Sequence, residues 1–328
     1  MGRTARRSGL TPHLQRPVLV VTGPTASGKS ALALDLAREL GGTVINADSM
    51  QVYRELRILT ARPSPEEEAA IPHRLYGVLP AAEVCSAARW RELALAEISE
   101  SHRLGRLPVL TGGTGLYLGA LRRGLSPIPE IPERVRKQTR ERFANIGSTA
   151  FYAELSGQDP LSAARLKPGD TQRLMRAAEV MAATGRSLFA WHGEGSAEGA
   201  ENKLAFYTVA LMPERASLRR RIEARFAAML AAGALDEVRA LLALKLPPGV
   251  PAMKAHGVPE LTRYLAGELS LDEAAKRAVL ATGQYAKRQF TWLRHQVQKD
   301  YILEEQYNGS PTPAILNNIR HFLLTLSG

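Results

Sequence analysis

Eight consecutive residues, Gly23, Pro24, Thr25, Ala26, Ser27, Gly28, Lys29 and Ser30, match the pattern G-x-x-x-x-G-K-[ST]. That spacing suits the grip of a diphosphate or triphosphate. The glycines let backbone N–H groups converge on phosphate oxygens, and a helix starting there aims its positive end at them. Lys29 supplies a point charge, and the Ser30 hydroxyl can ligate Mg²⁺. Asp48 is the one carboxylate expected at a strand's carboxyl end. Beside a phosphate site it can act as a general base or a metal helper; an Asp-Ser pair equally suits a plain turn or helix cap. A phosphotransferase with such a loop also needs an acid on another strand to hold its metal. Residues 109–114 (VLTGGT) have none.

A second kind of chemistry stands near the carboxyl terminus. Residues 274–299 hold six Lys or Arg and no acid. On a helix, Arg277, Gln284, Arg288, Thr291 and His295 share one face, and Leu280, Gly283, Ala286, Phe290, Leu293 and Val297 another. A cationic stripe opposite an apolar one offers charge to a partner while packing on a core. Tyr285 and Trp292 can stack on bases or cover that core. With 43 Lys and Arg against 32 Asp and Glu, the net charge is +11, and a nucleic-acid backbone is the natural partner. Within residues 170–179, Gln172, Arg173 and Arg176 can hold phosphate and read a base edge. An internal pairing of those arginines with Glu179 is the alternative.

The elements that must position these residues follow from periodicity. Residues 17–22, 43–47, 107–111 and 204–211 are short apolar runs bounded by turn residues and read as buried strands. Residues 30–40 and 87–103 read as helices between them, and residues 66–70 as the opening of a helix or a solvated acidic loop. Strands alternating with helices predict an α/β fold, a parallel sheet with helices on both faces. Ligands then sit beyond the strands' carboxyl ends. Residues 124–132 (GLSPIPEIP) look like a hinge, and residues 133–189 contain only helix-like segments, at 134–144, 148–155, 160–166 and 170–184. Residues 193–200 read as a flexible linker. Beyond Pro213 the chain is expected to be helical again, with 271–299 as one helix. The domain reading is a basic, disordered tail over 1–16, a phosphate-loop core over 17–130 and 201–328, and a small all-helical insertion over 131–200.

Composition narrows the setting. One cysteine, Cys85, excludes an internal disulfide and multi-cysteine metal sites and fits a reducing compartment, the cytosol. No long apolar run calls for a membrane span. The start carries Arg3, Arg6, Arg7 and Arg16 without an acid; it also fits a transit peptide, but not a secretory signal.

Taken in order, residues 23–30 (GPTASGKS), 48–54 (DSMQVYR), 112–117 (GGTGLY), 172–180 (QRLMRAAEV) and 285–294 (YAKRQFTWLR) resemble the tRNA dimethylallyltransferase family. The resemblance runs from about residue 17 to 294. It implies transfer of a dimethylallyl group from dimethylallyl diphosphate to the N6 amine of adenosine 37 beside the tRNA anticodon, with Mg²⁺, in a cytoplasmic, monomeric enzyme. By the same resemblance Asp48 is the general base, and Thr25, Lys29 and Ser30 grip the diphosphate. Thr114 lines the channel where base meets donor, and Arg221 neutralises the departing diphosphate. Ser49, Met50, Gln51, Arg136, the turn Gln172, Arg173, Leu174, Met175 and Arg176, and Lys287, Arg288, Gln289, Trp292 and Arg294 match tRNA contacts. The chain departs from the family at Gly283, where an Arg is usual, at 256–260 (HGVPE), and at Leu59 and Arg62. From the residues alone a metabolite phosphotransferase, a prenyltransferase acting on free adenine nucleotides, and an RNA-binding protein without transfer chemistry remain the competing readings.

Overall fold

The computed structural model describes residues 15–193, 204–247, 249–307 and 309–326. The expected tail, but for its last two residues, and the linker, but for Gly193, lie outside the described residues. Six strands form the sheet: β1 (Arg16–Thr22), β2 (Gly42–Asn46), β3 (His73–Arg74), β4 (Leu107–Gly112), β5 (Leu204–Leu211) and β6 (Tyr301–Leu303). Their order is β3-β2-β4-β1-β5-β6, and every pairing is parallel. Thirteen helices are described. Within the first half of the chain lie α1 (Lys29–Glu39), α2 (Pro65–Ala70), α3 (Ala87–Arg103) and α4 (Gly115–Arg123). They are followed by α5 (Glu133–Gln158), α6 (Pro160–Ala163), α7 (Thr171–Thr184) and α8 (Leu188–Gly193). After β5 come α9 (Arg215–Ala231), α10 (Ala234–Ala243), α11 (Val258–Leu265), α12 (Leu271–Gln296) and, beyond β6, α13 (Pro313–Leu326).

Successive strand residues face opposite sides of the sheet. Val18, Val20, Ile45 and Leu110 therefore enter one core, with Trp90, Ile98, Val238, Leu261 and Ala278 from α3, α10, α11 and α12. Leu19, Val21, Val44 and Val109 enter another, with Leu32, Leu36 and Ile319 from α1 and α13. Burial on both faces explains why these strands are apolar runs without alternation. The chain divides into two compact units, one from Met1–Arg122 and Ala200–Gly328, the other Arg123–Gly199. The second unit packs α5–α8 around Ile131, Phe151, Leu155, Leu174 and Val180. Its first helix bends at Gly147, which adopts φ 74° and ψ 171°.

Two expectations need correction. The chain after Pro213 is not all helical, because β6 adds a parallel edge strand beside β5. The last long helix stops at Gln296, where Val297 turns extended. Lys299 lies beyond the helix and donates Nζ to the carbonyls of Leu293, Arg294 and Val297.

Candidate active site

The loop between β1 and α1 carries the eight motif residues. Gly23, Pro24, Ala26 and Ser27 are buried, Thr25, Gly28 and Lys29 half-buried, and Ser30 exposed. Gly28 holds φ +92°, and a Cβ there would come within 2.5 Å of the Tyr307 carbonyl oxygen. Only glycine serves that turn without strain. The start of α1 is bare: Gly28 gives no side-chain cap and the first turn holds no acid. By contrast α2, α3 and α12 are capped by the hydroxyls of Ser64, Ser86 and Ser270. The uncapped N–H groups and the positive helix end are left for an outside anion. Lys29 sits there with Nζ 3.5 Å from the Pro24 carbonyl. Burial pushes its ammonium down to about 8, against the pull of Asp48 and with Arg225 adding to the depression.

Asp48 is set two residues past β2 by Asn46, whose Oδ1 accepts from the Asp48 N–H at 2.8 Å and whose Nδ2 donates to the Asp48 carbonyl at 3.0 Å. Trp90, fully buried, donates its indole N–H to the Asn46 carbonyl at 2.9 Å and stacks on Tyr117. One carboxylate oxygen, Oδ1, accepts from the Met50 N–H at 2.9 Å, so the turn role is real. Oδ2 makes no hydrogen bond among the described residues. It is left for chemistry. The Thr114 hydroxyl, at the end of β4, accepts from the Ser49 N–H at 3.0 Å and ties the two strand-end loops together.

Asp48 is the electrostatic centre of the site. Its charge acts on Lys29, Arg225, His256, Tyr76, Tyr117 and Tyr285. Burial, then Asp48, pushes the Tyr285 phenol up to about 12, and burial raises Tyr76 and Tyr117 as well. Burial lowers His256 below the ordinary imidazole range. Arg225 is a site residue that sequence reasoning passed over. It lies one turn along α9 from Arg221 (half-buried), and that i, i+4 spacing was the available signal.

Several residues that the resemblance matches to tRNA contacts are buried in this structure. Gln289 is 4% exposed. Its Oε1 accepts from the Thr25 N–H at 2.8 Å and its Nε2 donates to the Gly113 carbonyl at 3.0 Å. It braces the phosphate loop and is not a surface contact. A Cβ on Gly113 would lie 2.1 Å from that amide nitrogen, so this glycine makes room for it. Gln51 is also buried, with its amide spent on the carbonyls of Thr60 and Ala61. Leu174 is fully buried in the helical unit. The apolar stripe of α12 differs too: Ala274, Ala278, Ala286, Gln289 and Leu293 are buried, while Leu280 is exposed.

Other expected tRNA-facing residues lie where contact is open to them. Gln172, Arg173, Lys287, Arg288 and Arg294 are exposed. Ser49, Met50, Arg136, Met175 and Arg176 are half-buried, and Arg176 pairs with Glu179 at 3.5 Å. Trp292 is half-buried and packs on the first core and on Gly115. Tyr285 lies against His256, with ring centroids 4.9 Å apart. Both aromatic residues cover the site.

The metal question turns on donor chemistry. No group of three or more His, Cys, Asp or Glu that could hold a metal is found among the described residues. Mg²⁺ binds through few protein oxygens and keeps its waters and substrate phosphates. The exposed Ser30 hydroxyl at the start of α1 suits a cation that arrives with a diphosphate.

Comparison with known proteins places the chain. The family described as IPP transferase matches residues 51–296. A tRNA dimethylallyltransferase of Rhodospirillum centenum is 57% identical over 282 residues, 86% of this chain and 90% of that protein. One from Paramagnetospirillum magneticum is 53% identical over 94% of this chain and 98% of its own length. The crystal structure of a full-length tRNA isopentenylpyrophosphate transferase from Bacillus halodurans is similar with TM-score 0.65 and 32% identity, covering 95% and 96% of the two chains. A eukaryotic dimethylallyltransferase captured acting on tRNA is similar with TM-score 0.72 and 28% identity, covering 85% and 70%. With three quarters of its length inside the family pattern and relatives above half identity, this chain belongs to the IPP transferase family.

Proposed function

We infer that the protein transfers a dimethylallyl group from dimethylallyl diphosphate to the N6 amine of adenosine 37, next to the tRNA anticodon, and releases diphosphate. One observation carries the chemical reading. A bare helix N-terminus with Lys29 stands in the field of a carboxylate, Asp48, that keeps one oxygen outside its turn. The site joins an anion grip to a proton acceptor.

In the reaction, the bond between the allylic carbon and the diphosphate oxygen breaks and its electron pair leaves with the diphosphate. The amine lone pair of adenine forms the new C–N bond. The loop N–H groups, Lys29, Thr25, Ser30 and Arg221 stabilise the charge that grows on the leaving group. Asp48 takes the proton that the amine must lose. Thr114 fixes the loop after Asp48 and so the position of that carboxylate. The Ser30 hydroxyl would hold Mg²⁺, which would supply further neutralisation of the leaving group. Tyr285, Trp292 and His256 wall the site from water. Adenosine must leave its stack to reach such a half-buried group, as in other base-modifying enzymes.

Exposed Lys287, Arg288 and Arg294 on α12, with Gln172, Arg173, Arg176 and Arg136 in the helical unit, hold the anticodon stem-loop by its phosphates. The enzyme works as a cytoplasmic monomer, and no described helix is long and apolar enough to cross a membrane. The test is a transfer assay with labelled dimethylallyl diphosphate, Mg²⁺ and unmodified tRNA carrying adenosines 36 and 37, with AMP and ATP as parallel acceptors. Label in tRNA alone is expected. Label in AMP or ATP, or nucleotide hydrolysis without label, refutes the reading.

A further inference from the structure

The chain leaving β6 turns back onto the phosphate loop. Tyr307 is buried, donates its backbone N–H to the Ser27 carbonyl at 3.3 Å, and donates its phenol to Asp35 Oδ2 of α1 at 2.7 Å. Its own carbonyl lies against Gly28. Arg221 reaches the same place from α9. Its NH1 donates to Gln306 Oε1 and to the Tyr307 carbonyl, each at 3.3 Å. We propose that Gln306 and Tyr307 form a positioning strap for the leaving-group grip: they hold the Arg221 guanidinium beside the cradle and clamp the Ser27–Gly28 turn.

The acceptor chemistry supports this. Both acceptors are neutral, an amide and a carbonyl. They fix a long side chain without cancelling its charge, as a carboxylate partner would. An arginine otherwise loses rotamer freedom when it binds an anion; here part of that ordering precedes binding. A second observation is independent of Arg221. Gln306 Nε2 and Ser27 Oγ are both buried with no partner among the described residues. Orphaned donors are costly, and these two belong to residues on either side of the strap–loop junction.

The inference rests on reading the cradle as a diphosphate site, so its test does not use transfer alone. Inorganic diphosphate with Mg²⁺ is titrated by calorimetry into the full-length wild type and into Gln306→Ala, Arg221→Ala and the double variant. Transfer kinetics are measured in parallel. Gln306→Ala should weaken diphosphate about tenfold, the effect of one hydrogen bond to a charged group. It should raise KM for dimethylallyl diphosphate to match and leave KM for tRNA unchanged. Because Gln306 acts through Arg221, the double variant should bind within about twofold of Arg221→Ala. Gln306→Glu guards against a folding defect, since it keeps the length and the acceptor but cancels the guanidinium charge; it should weaken diphosphate at least as much as Gln306→Ala. Additive losses in the double variant, or wild-type binding by Gln306→Glu, overturn the strap. A wild type that binds diphosphate yet transfers nothing overturns the proposed function and leaves the strap standing. A wild type that binds no diphosphate overturns both.

Discussion

Asp48→Asn isolates the proton acceptor from the geometry around it. Asparagine keeps an Oδ1 for the Met50 N–H, and the backbone bonds to Asn46 do not involve the side chain. The turn between β2 and Ser49 therefore survives. Removing a general base costs about 10²–10⁴ in rate, or roughly 3–5 kcal/mol of barrier. A second effect is expected from the same substitution. The Asp48 charge opposes the burial that depresses Lys29, so without it Lys29 falls below about 8 and grips diphosphate less well at neutral pH. KM for dimethylallyl diphosphate then rises, and only kcat at saturating donor reports the base. The assay is single-turnover transfer to tRNA with excess enzyme and saturating donor, beside a filter-binding measurement of tRNA affinity. A variant with a transfer rate within about threefold of wild type refutes Asp48 as the base. A variant that also loses tRNA affinity refutes the claim that the turn is preserved.

Three other outcomes follow from single residues. Because burial sets Lys29 at about 8, its charge is complete below that pH and is lost above it. KM for dimethylallyl diphosphate should climb about tenfold per pH unit beyond pH 8 in steady-state profiles, and a flat KM to pH 9.5 would contradict this. Gln289→Ala orphans the Thr25 N–H and the Gly113 carbonyl; it should cost about 2 kcal/mol in urea unfolding and raise KM for the donor, whereas Lys287→Ala should raise KM for tRNA and reduce its salt slope by about 1. Glu237 accepts from the backbone N–H groups of Arg57, Ile58 and Leu59 at 2.6, 2.7 and 2.9 Å. Glu237→Gln should lower the unfolding free energy by about 2 kcal/mol in urea at unchanged slope, and no shift of the midpoint would mean that this loop is held elsewhere.

Legibility in the sequence followed length and burial. Strands of five or more apolar residues declared themselves, because both faces of a parallel sheet are buried. Two- and three-residue strands such as β3 and β6 carry no periodicity to read, and β6 was taken for helix. The phosphate loop was plain because its chemistry lies in consecutive backbone groups. Its supports were not. Gln289 is matched to a tRNA contact by the family resemblance, yet its amide satisfies a donor and an acceptor at once inside the protein. Leu280 was assigned to the core by spacing, although small residues, Ala274, Ala278 and Ala286, bring α12 close and leave Leu280 outside. Arg225 and Gln306 reach the site only through tertiary folding, from segments far from the loop they serve.

Those supports share a logic with the placement of acids. The loop is braced from α12 by Gln289 and from the β6 side by Tyr307, with neutral hydrogen bonds at the loop itself; the one carboxylate involved, Asp35, meets the Tyr307 phenol farther along α1. Arg221 is held by neutral acceptors. No acid stands in the first turn of α1 or on β4. A carboxylate brace would be stronger, since bonds to charged acceptors exceed neutral ones, but it would repel a diphosphate already gathering charge as the allylic carbon departs. Neutral braces keep the grip rigid and leave its positive potential intact. The anionic oxygen at the centre of this site is then left to Asp48, whose charge has a different task. The arrangement separates leaving-group stabilisation from proton removal, and it predicts that Gln289→Glu or Gln306→Glu weakens donor binding at least as much as the alanine substitution at the same position.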